Sequence, residues 1–277
     1  MFKIETVGAD PEFFVHTGSI FFPSIPFTSG NKIVPEYIGN NCYLQRDNLM
    51  LEGNIPPAKT YKEFETSLNF LKDFAKSRVA MKNMNIVCED SAEFKPRFLR
   101  LPEAHEFGCT PYSLAWIPKT IGSKEMFGFG KLRSRPAGFH IHIGGNFLDQ
   151  KRKRLFVRLF DLFITNPARY HNFDEVRVKN YGTFGAFRYT PYGVECRSLG
   201  SHFLNDDHLP WIWDQLMKIE DHMNNFLLKS IHMDYSPKWT TISNREFISK
   251  ETYELFNIDL SNQLKYLPLE SKEYAYI

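Results

Sequence analysis

Polar and hydrophobic residues alternate in one segment near the middle of the chain. Residues 136–145 read Pro-Ala-Gly-Phe-His-Ile-His-Ile-Gly-Gly, in which Ile141 separates His140 from His142. Successive side chains of a strand point to opposite faces of a sheet. The alternation therefore predicts a strand with both imidazoles on one face and the isoleucines on the other. The apolar face can pack on a core while the two histidines enter a shared polar space.

A second segment further along the chain repeats this arrangement. In residues 193–198, Glu195 and Arg197 fall on one face, while Val194 and Cys196 fall on the other. A strand with two histidines beside a strand with a carboxylate and a guanidinium could bind a divalent metal and a polyanion. The alternative interpretation is two half-exposed strands with ordinary polar faces.

The remaining patterns predict a mixture of strands and helices. Short strands are expected at residues 11–16, 49–52 and 184–189, and a turn at residues 190–193 joins the last of these to the strand of Glu195. Residues 86–135 are rich in Gly, Pro and Phe and are interpreted as irregular, with weak strand signals.

Helical spacing of apolar residues predicts helices at residues 61–84 and 211–232, and a short one near 246–257. Thr60 is the expected N-cap of the first, with Glu63 at the capping-box position. Asp149 is expected to cap a further helix that reaches about Thr165 and is stopped by Pro167. We therefore expect one α+β domain over residues 1–277, in which a mostly antiparallel sheet carries polar groups on one face and helices on the other.

Composition excludes several classes of protein. The chain has 277 residues, of which 43% are hydrophobic and 16% aromatic, enough for a large core. The net charge of +2 gives no indication of nucleic acid or membrane binding. The N-terminus lacks the pattern of a signal peptide, and no apolar stretch could span a bilayer. The cysteines show no CxxC or zinc spacing, so we expect free thiols in a cytoplasmic protein: Cys42, Cys88, Cys109 and Cys196.

The polar residues favour phosphate and metal chemistry. Carboxylates in the majority, with one histidine, suit Mg²⁺ or Mn²⁺ better than zinc. Arginines suit phosphates because the planar guanidinium makes paired, charge-assisted hydrogen bonds. No Gly-rich P-loop with a Lys-Ser/Thr ending occurs. The basic run at residues 151–154 could bind a polyanion or be a solvated helix start, and Cys109 as a nucleophile has no base partner fixed in sequence.

Five segments in order carry a resemblance. They read G-A-D-P-E-F-F at residues 8–14, D-N-L-M-L-E-G-N-I-P-P at 47–57, R-P-A-G-F-H-I-H-I-G at 135–144, Y-G-T-F-G-A-F-R at 181–188 and P-Y-G-V-E-C-R at 191–197. The set resembles the phage-type amidoligases, the type 2 carboxylate–amine ligases of the glutamine synthetase-like superfamily. The resemblance runs from residue 8 to about residue 204.

The resemblance implies a glutamine synthetase-like catalytic domain, with metals and ATP on the concave face of a curved, mostly antiparallel sheet and helices on the convex face. It implies these metal ligands: Glu12, Glu52, His140 and Glu195. It implies these contacts to the nucleotide: His142, Arg188, Arg177 and Arg135. It implies these catalytic residues: Arg197, Arg188 and Glu195. Asp10 is interpreted as a turn cap more readily than as a ligand.

The implied activity is an ATP-dependent ligation of a carboxylate to an amine through an acyl phosphate, in the cytoplasm of the host cell of a phage. The alternatives are a guanidino- or carboxylate-directed kinase on the same fold, or a non-catalytic nucleotide- or peptide-binding relative. Departures from the family pattern at Gly53, Thr110 and Phe139 spare the metal and phosphate positions and leave the carboxylate and the amine open. Six other histidines are interpreted as solvated or structural: His16, His105, His171, His202, His222 and His232.

Overall fold

The computed structural model describes residues 1–106, 112–117, 119–121, 133–147, 149–205, 207–226, 238–242 and 245–265. The strands are β1 (Ile4–Thr17), β2 (Ile20–Phe22), β3 (Glu36–Gly39), β4 (Cys42–Asp47), β5 (Met50–Asn54), β6 (Asn85–Val87), β7 (Ser91–Glu93), β8 (Tyr112–Leu114), β9 (Lys119–Ile121), β10 (Ser134–Pro136), β11 (Phe139–Gly145), β12 (Ala186–Thr190), β13 (Gly193–Cys196), β14 (Trp239–Ile242) and β15 (Arg245–Ile248). The helices are α1 (Tyr61–Ala80), α2 (Gln150–Phe160), α3 (Asn166–His171), α4 (Glu175–Asn180), α5 (Leu209–Phe226), α6 (Lys250–Leu255) and α7 (Leu260–Lys265).

The long strand β1 organises the main sheet. Strand order is β3-β4-β5-β1-β11-β13-β12-β8-β9, and β2 and β6 pair with the far end of β1. Every ladder of this sheet is antiparallel. Two ribbons, β7 with β10 and β14 with β15, complete the described strands. The α+β prediction with a large antiparallel sheet is therefore confirmed.

The apolar face of the sheet forms the core. Ile141, Ile143 and Val194 are fully buried and belong to the same hydrophobic cluster as residues of α1, α2 and α5. Helices α1 and α2 contact strands of the sheet, and α5 contacts both of these helices. The predicted division of the sheet into a helix-covered apolar face and a polar face follows from this packing.

Helix starts agree with their predicted caps. The Thr60 hydroxyl accepts a hydrogen bond from the Glu63 amide at 3.2 Å, and the Asp149 carboxylate accepts one from the Arg152 amide at 2.8 Å. Helix α1 ends at Ala80, earlier than predicted. No described helix combines the length and the apolar composition needed to cross a membrane.

Pro167 does not stop the helix that begins at residue 150. A π-helical turn (Asp161–Thr165) follows α2, and α3 continues the helical path through Pro167. In the π register the Asn166 amide donates to the Asp161 carbonyl, five residues back. Proline lacks the next amide, and the Tyr253 hydroxyl donates to the Leu162 carbonyl at 2.6 Å instead. The helix continues because a tertiary contact supplies this hydrogen bond.

Two other expectations are corrected. The described parts of residues 86–135 include β6 to β10, so this region is less irregular than its composition indicates. Residues 246–257 form β15 followed by α6 rather than one helix. Phe247 of β15 stacks on Tyr170 with ring centroids 4.1 Å apart, so tertiary packing sets this strand. The single domain over residues 1–277 stays a prediction.

Gly53 provides a test of how closely α1 packs on the sheet. A Cβ at residue 53 would lie 2.2 Å from Leu71 Cδ2 and within 2.9 Å of Leu71 Cγ. We expect Gly53→Ala to destabilise the protein by about 1–3 kcal/mol, because overpacking displaces a core side chain. Denaturant unfolding measures this difference.

Gly8→Ala is the matched control, because a Cβ there meets nothing closer than 3.6 Å. It should change the free energy of unfolding by well under 1 kcal/mol. Equal stability of the two variants would contradict the close packing of Leu71 on β5.

Candidate metal and phosphate site

Polar side chains cross six adjacent strands of the sheet on the face opposite the core. Strand register pairs Glu12 with Glu52, Asp10 with His140, and Glu195 with both His142 and Arg188. Cross-strand partners share a face, and residues two apart on a strand do so as well. From β4 to β12 this polar face carries Gln45, Glu52, Glu12, Asp10, His140, His142, Glu195 and Arg188.

The first cluster on this face consists of Glu12, Glu52 and His140. One ligand atom from each lies within 4.8 Å of the others, and all three residues are buried. Glu12 Oε2 accepts a hydrogen bond from the Gly138 amide at 2.6 Å, and Glu52 Oε2 accepts one from Gln45 Nε2 at 2.8 Å. Glu12 Oε1 and His140 Nε2 are buried without a hydrogen-bond partner. Since buried polar atoms are almost always bonded, these two atoms fit the donor set of a cation.

The charges of the first cluster also fit a cation. Burial, with the nearby charges of Asp47 and Glu52, raises the pKa of Glu12 to about 8. Burial raises the pKa of Glu52 to about 7, although Lys32 opposes the shift. Burial and the neighbouring arginines hold the pKa of His140 well below its usual value, so its ring is neutral. At neutral pH these carboxyls therefore retain protons that a divalent cation can displace.

The second cluster consists of Asp10, His142 and Glu195, whose ligand atoms also lie within 4.8 Å of one another. His142 Nε2 is 2.8 Å from Asp10 Oδ2, and His142 Nδ1 is 2.6 Å from the Tyr192 hydroxyl. Burial alone would raise the pKa of Asp10, but hydrogen bonds from His142 and Asn54 hold it below its usual value. The pKa of His142 is raised by the same contact with Asp10, against the effect of burial. This cluster is a charged pair beside a buried carboxylate.

Glu195 connects the two clusters and the arginines. Its Oε1 lies 3.8 Å from His140 Nδ1 and forms an ion pair with Arg197, and its Oε2 lies 3.6 Å from Arg188 Nη1. Burial raises the pKa of Glu195, while His142 and Arg188 act against that shift. Arg197 is buried and donates to the Tyr181 hydroxyl, whereas the Arg188 side chain is 30% exposed. Arg188 is thus the more exposed of these two arginines.

The donor set favours a particular class of metal. Each cluster offers two carboxylates and one imidazole. Oxygen ligands in the majority suit Mg²⁺ or Mn²⁺, while zinc sites are richer in nitrogen and sulfur. The residues on this face therefore fit the cation that the sequence predicts.

Two arginines that the sequence predicts as nucleotide contacts are buried. Arg135 is 1% exposed and donates to Asn48 Oδ1 and to the Ala104 and Ser134 carbonyls. Its contacts lie inside the protein, so they give no support to a phosphate role.

Arg177 is buried close to the first cluster. It donates to the carbonyls of Ala137 at 2.7 Å and Leu199 at 2.6 Å. Its charge still acts on His140 and Glu12, whose pKa values it lowers. Arg177 therefore has the contacts of an electrostatic and positioning residue.

Sequence reasoning missed several contributors. Asp47 shares the face of Gln45 on β4, and alternation along that strand could have identified both. Lys32 lies in a loop, with Nζ 2.6 Å from Asp47 Oδ2 and 3.5 Å from Glu52 Oε2, and nothing in its local sequence indicates this. Asp10 was favoured as a turn cap, yet it belongs to the second cluster.

Two sequence expectations outside this face can also be placed. Lys153 donates to the Thr190 carbonyl at 2.9 Å, and Arg154 donates to the Leu114 and Ala115 carbonyls. Two of the four basic residues at 151–154 therefore bind backbone carbonyls. Cys109 and Thr110 lie outside the described residues, and within those residues Cys42 and Cys196 are buried, free thiols.

Two cavities adjoin the clusters. One of about 420 Å³ is lined by Lys32 and Asp47 near the first cluster. The other, of about 270 Å³, is lined by Asp10, His142 and Tyr192 of the second cluster. A ligand entering either cavity would meet the polar face from one of its two ends.

Comparison of the chain with the models of known protein families gives no match, and a search of curated proteins finds no significant match.

With divalent cations removed, the free energy of unfolding should fall as pH rises from about 4.5 to about 8. Glu12 and Glu52 bind protons more tightly in the folded protein, with pKa values of about 8 and 7 against 4.5. Their contribution is full below pH 4.5 and is lost as pH rises through the folded values. His142, with a raised pKa, acts in the same direction. Thermal unfolding in EDTA should show this loss, and Mn²⁺ should restore Tm at pH 8.5.

The Glu12→Gln variant shows how much of the pH dependence of stability comes from the Glu12 carboxylate. Glutamine can still accept the Gly138 hydrogen bond, so the variant should fold, lose much of the pH dependence and bind Mn²⁺ at least about tenfold more weakly. Glu5→Gln, at an exposed position of the same strand, should leave both properties unchanged. A Tm that is insensitive to Mn²⁺ at pH 8.5 would exclude a cation at Glu12.

Proposed function

We propose that the chain is an ATP-dependent carboxylate–amine ligase. The observation that carries this proposal is the adjacency of two carboxylate–imidazole clusters and two arginines on one sheet face. Such a face combines cation ligands with guanidinium groups, which phosphoryl transfer to a carboxylate requires. The resemblance of the five ordered segments to the phage-type amidoligases supports the same reaction.

The residues have distinct roles in this proposal. Glu12, Glu52 and His140 would hold one Mg²⁺ or Mn²⁺, and Glu195, His142 and Asp10 would hold a second or face the nucleotide phosphates. When bound, such cations neutralise charge on phosphate oxygens. Arg188, half-exposed beside Glu195, is assigned to the terminal phosphate of ATP. Arg197, held by Glu195 and Tyr181, is assigned to the carboxylate that accepts the phosphoryl group.

The proposed reaction has two steps. A carboxylate oxygen attacks the γ-phosphorus of ATP, the bond to the ADP oxygen breaks, and an acyl phosphate forms. The amine nitrogen then attacks the acyl carbon, phosphate leaves with the electron pair of its C–O bond, and the nitrogen loses a proton. Activation is needed because a carboxylate by itself offers no adequate leaving group for amide formation. The identity of the carboxylate and the amine is left open.

Nucleotide products test the reaction. Incubation with ATP, Mg²⁺ and a pool of amino acids and peptides should release ADP and phosphate, and hydroxylamine should trap a hydroxamate in place of the natural amine. Arg197→Ala should lower this rate about 10²–10³-fold, the usual loss for one preorganised charge contact. Mass spectrometry identifies the amide formed without hydroxylamine.

Other products would point to other functions. AMP and pyrophosphate would refute the acyl-phosphate route. A stable phosphorylated product without an amide would favour the kinase alternative. Binding of ATP without turnover across the pool would favour a non-catalytic relative.

Arg188→Ala tests the assigned phosphate contact. Loss of charge-assisted hydrogen bonds costs about 1.5–3 kcal/mol, which is roughly a ten- to a hundredfold loss of affinity. Calorimetry with Mg²⁺-ATP measures this, with Arg133→Ala as control because the Arg133 side chain is 67% exposed on a ribbon outside the sheet. Equal affinity of a folded Arg188→Ala variant and the wild type would remove Arg188 from the nucleotide site.

A further inference from the structure

Three histidines form a cluster on elements outside the polar face. His171 ends α3, His202 lies in a 3₁₀ turn (Ser201–Leu204), and His208 immediately precedes α5. Their ring centroids are 5.1 to 5.9 Å apart. One ring nitrogen from each lies within 4.8 Å of the others. Sequence patterns interpreted His171 and His202 separately as structural residues, because the three positions come together only in the fold.

His208 shows why this cluster differs from a chance packing of rings. The residue is 6% exposed, and its Nδ1 atom is buried without a hydrogen-bond partner. A buried ring nitrogen normally finds a donor, an acceptor or a metal. Burial, with the charges of the two neighbouring histidines, lowers the pKa of His208 to about 4, so its ring is neutral at pH 7. A neutral imidazole presents the lone pair that metal coordination requires.

A buried carboxylate fixes the backbone around the cluster. Asp90 Oδ1 accepts a hydrogen bond from the His202 amide at 2.8 Å, and Asp90 Oδ2 accepts one from Asn172 Nδ2 at 3.1 Å. The carboxylate can approach because residue 200 is glycine, where a Cβ would lie 2.0 Å from Asp90 Oδ1. Two members of the cluster are therefore positioned before any ligand binds.

The surrounding charge favours a cation. Burial lowers the pKa values of His202 and His208, and the nearby carboxylates of Glu89 and Asp207 oppose these shifts. Both carboxylates are exposed. They add negative potential beside the cluster.

We propose that His171, His202 and His208 form a binding site for a transition-metal dication of the zinc type. Three nitrogen donors suit zinc and its neighbours, whereas Mg²⁺ and Mn²⁺ prefer oxygen. Three protein ligands leave a fourth, tetrahedral position to water. Zinc–nitrogen bonds of about 2.0–2.1 Å place ligand nitrogens roughly 3.4 Å apart, so the rings need to approach by no more than about 1.5 Å.

Metal at this site would join three elements of the fold. The turn that carries His202 is also tied to the polar face, since the Ser201 hydroxyl donates to the Glu12 carbonyl at 2.5 Å and the Ser201 amide to the Ala137 carbonyl at 3.2 Å. Metal at the site would therefore hold in place the turn that is hydrogen-bonded to the strand of Glu12. The site offers only nitrogen donors, whereas the two clusters of the polar face offer mostly oxygen. The proposal of this site does not depend on the ligase proposal.

The test measures zinc binding by the whole, untagged chain. Zinc is titrated against a competing chelator at pH 7.5 in excess Mg²⁺, which occupies oxygen-rich sites. We expect one tightly bound zinc and a higher Tm with zinc present, because a metal that binds only the folded state stabilises it. Co²⁺ at the same site should give the intense visible bands of a four-coordinate ion bound by three nitrogens and a water.

Variants locate the bound metal. His202→Gln and His208→Gln should each weaken zinc binding at least about 100-fold and abolish the cobalt bands. Mutation of a residue that only hydrogen-bonds to a metal ligand already lowers metal affinity about 10- to 100-fold, and loss of a ligand should cost more. His105→Gln, at an exposed histidine, should bind zinc like the wild type. His140→Gln should also keep the cobalt bands, which excludes the first cluster as their source.

Several results would overturn the proposal. Absence of zinc binding by the wild type, or cobalt bands that persist in either His202→Gln or His208→Gln, would do so. Should one of the two variants fail to fold, as circular dichroism would show, the other decides the result.

Discussion

Two buried carboxyl groups facing each other across neighbouring strands set the main constraint on this structure. Glu12 and Glu52 are cross-strand partners, and both lie almost entirely out of solvent. Ionised carboxylates in such a place are costly unless a cation or hydrogen bonds compensate them. Three contacts stabilise these carboxyl groups. Lys32 lies near Glu52, Gln45 donates a hydrogen bond to Glu52, and the Gly138 amide donates one to Glu12.

The same constraint explains why the sheet has two unlike faces. Strands of the site place a polar group on one side and an apolar residue on the other: Glu52 is next to Leu51, and His140 is next to Ile141. Packing of α1 and α2 on the apolar side holds the strands in register. A one-residue shift of any strand would move its polar group into the core, so core packing also keeps the site in place.

Contacts between residues that are distant in sequence connect the two clusters of the polar face. Glu195 belongs to the second cluster and lies 3.8 Å from His140 of the first, so it connects the two clusters. It also forms an ion pair with Arg197. Arg177 donates to the Ala137 and Leu199 carbonyls, and the Asp90 carboxylate accepts from the His202 amide. Gly200 permits this arrangement because a side chain there would occupy the position of the Asp90 carboxylate.

Much of the polar face could be predicted from the sequence, because strand alternation is a local property. Period-two spacing placed His140 with His142 and Glu195 with Arg197, and the described register brings these pairs side by side. Helix caps at Thr60 and Asp149 were equally local. The environments of Arg135 and Arg177 could not be predicted in this way. The residues next to an arginine in the sequence do not show whether its side chain faces a cavity or donates to buried acceptors.

By itself, the sequence determined which residues share a face of a strand, where helices begin and which donors the polar face offers. Only the tertiary structure decided which residues meet: Lys32 with Asp47, Asp10 with His142, and His171 with His202 and His208. It also decided that helical structure continues past Pro167, because Tyr253 supplies the missing hydrogen bond. The physical reason is that alternation and capping act within a few residues, whereas burial, pKa and coordination depend on groups that are distant in sequence and adjacent in space.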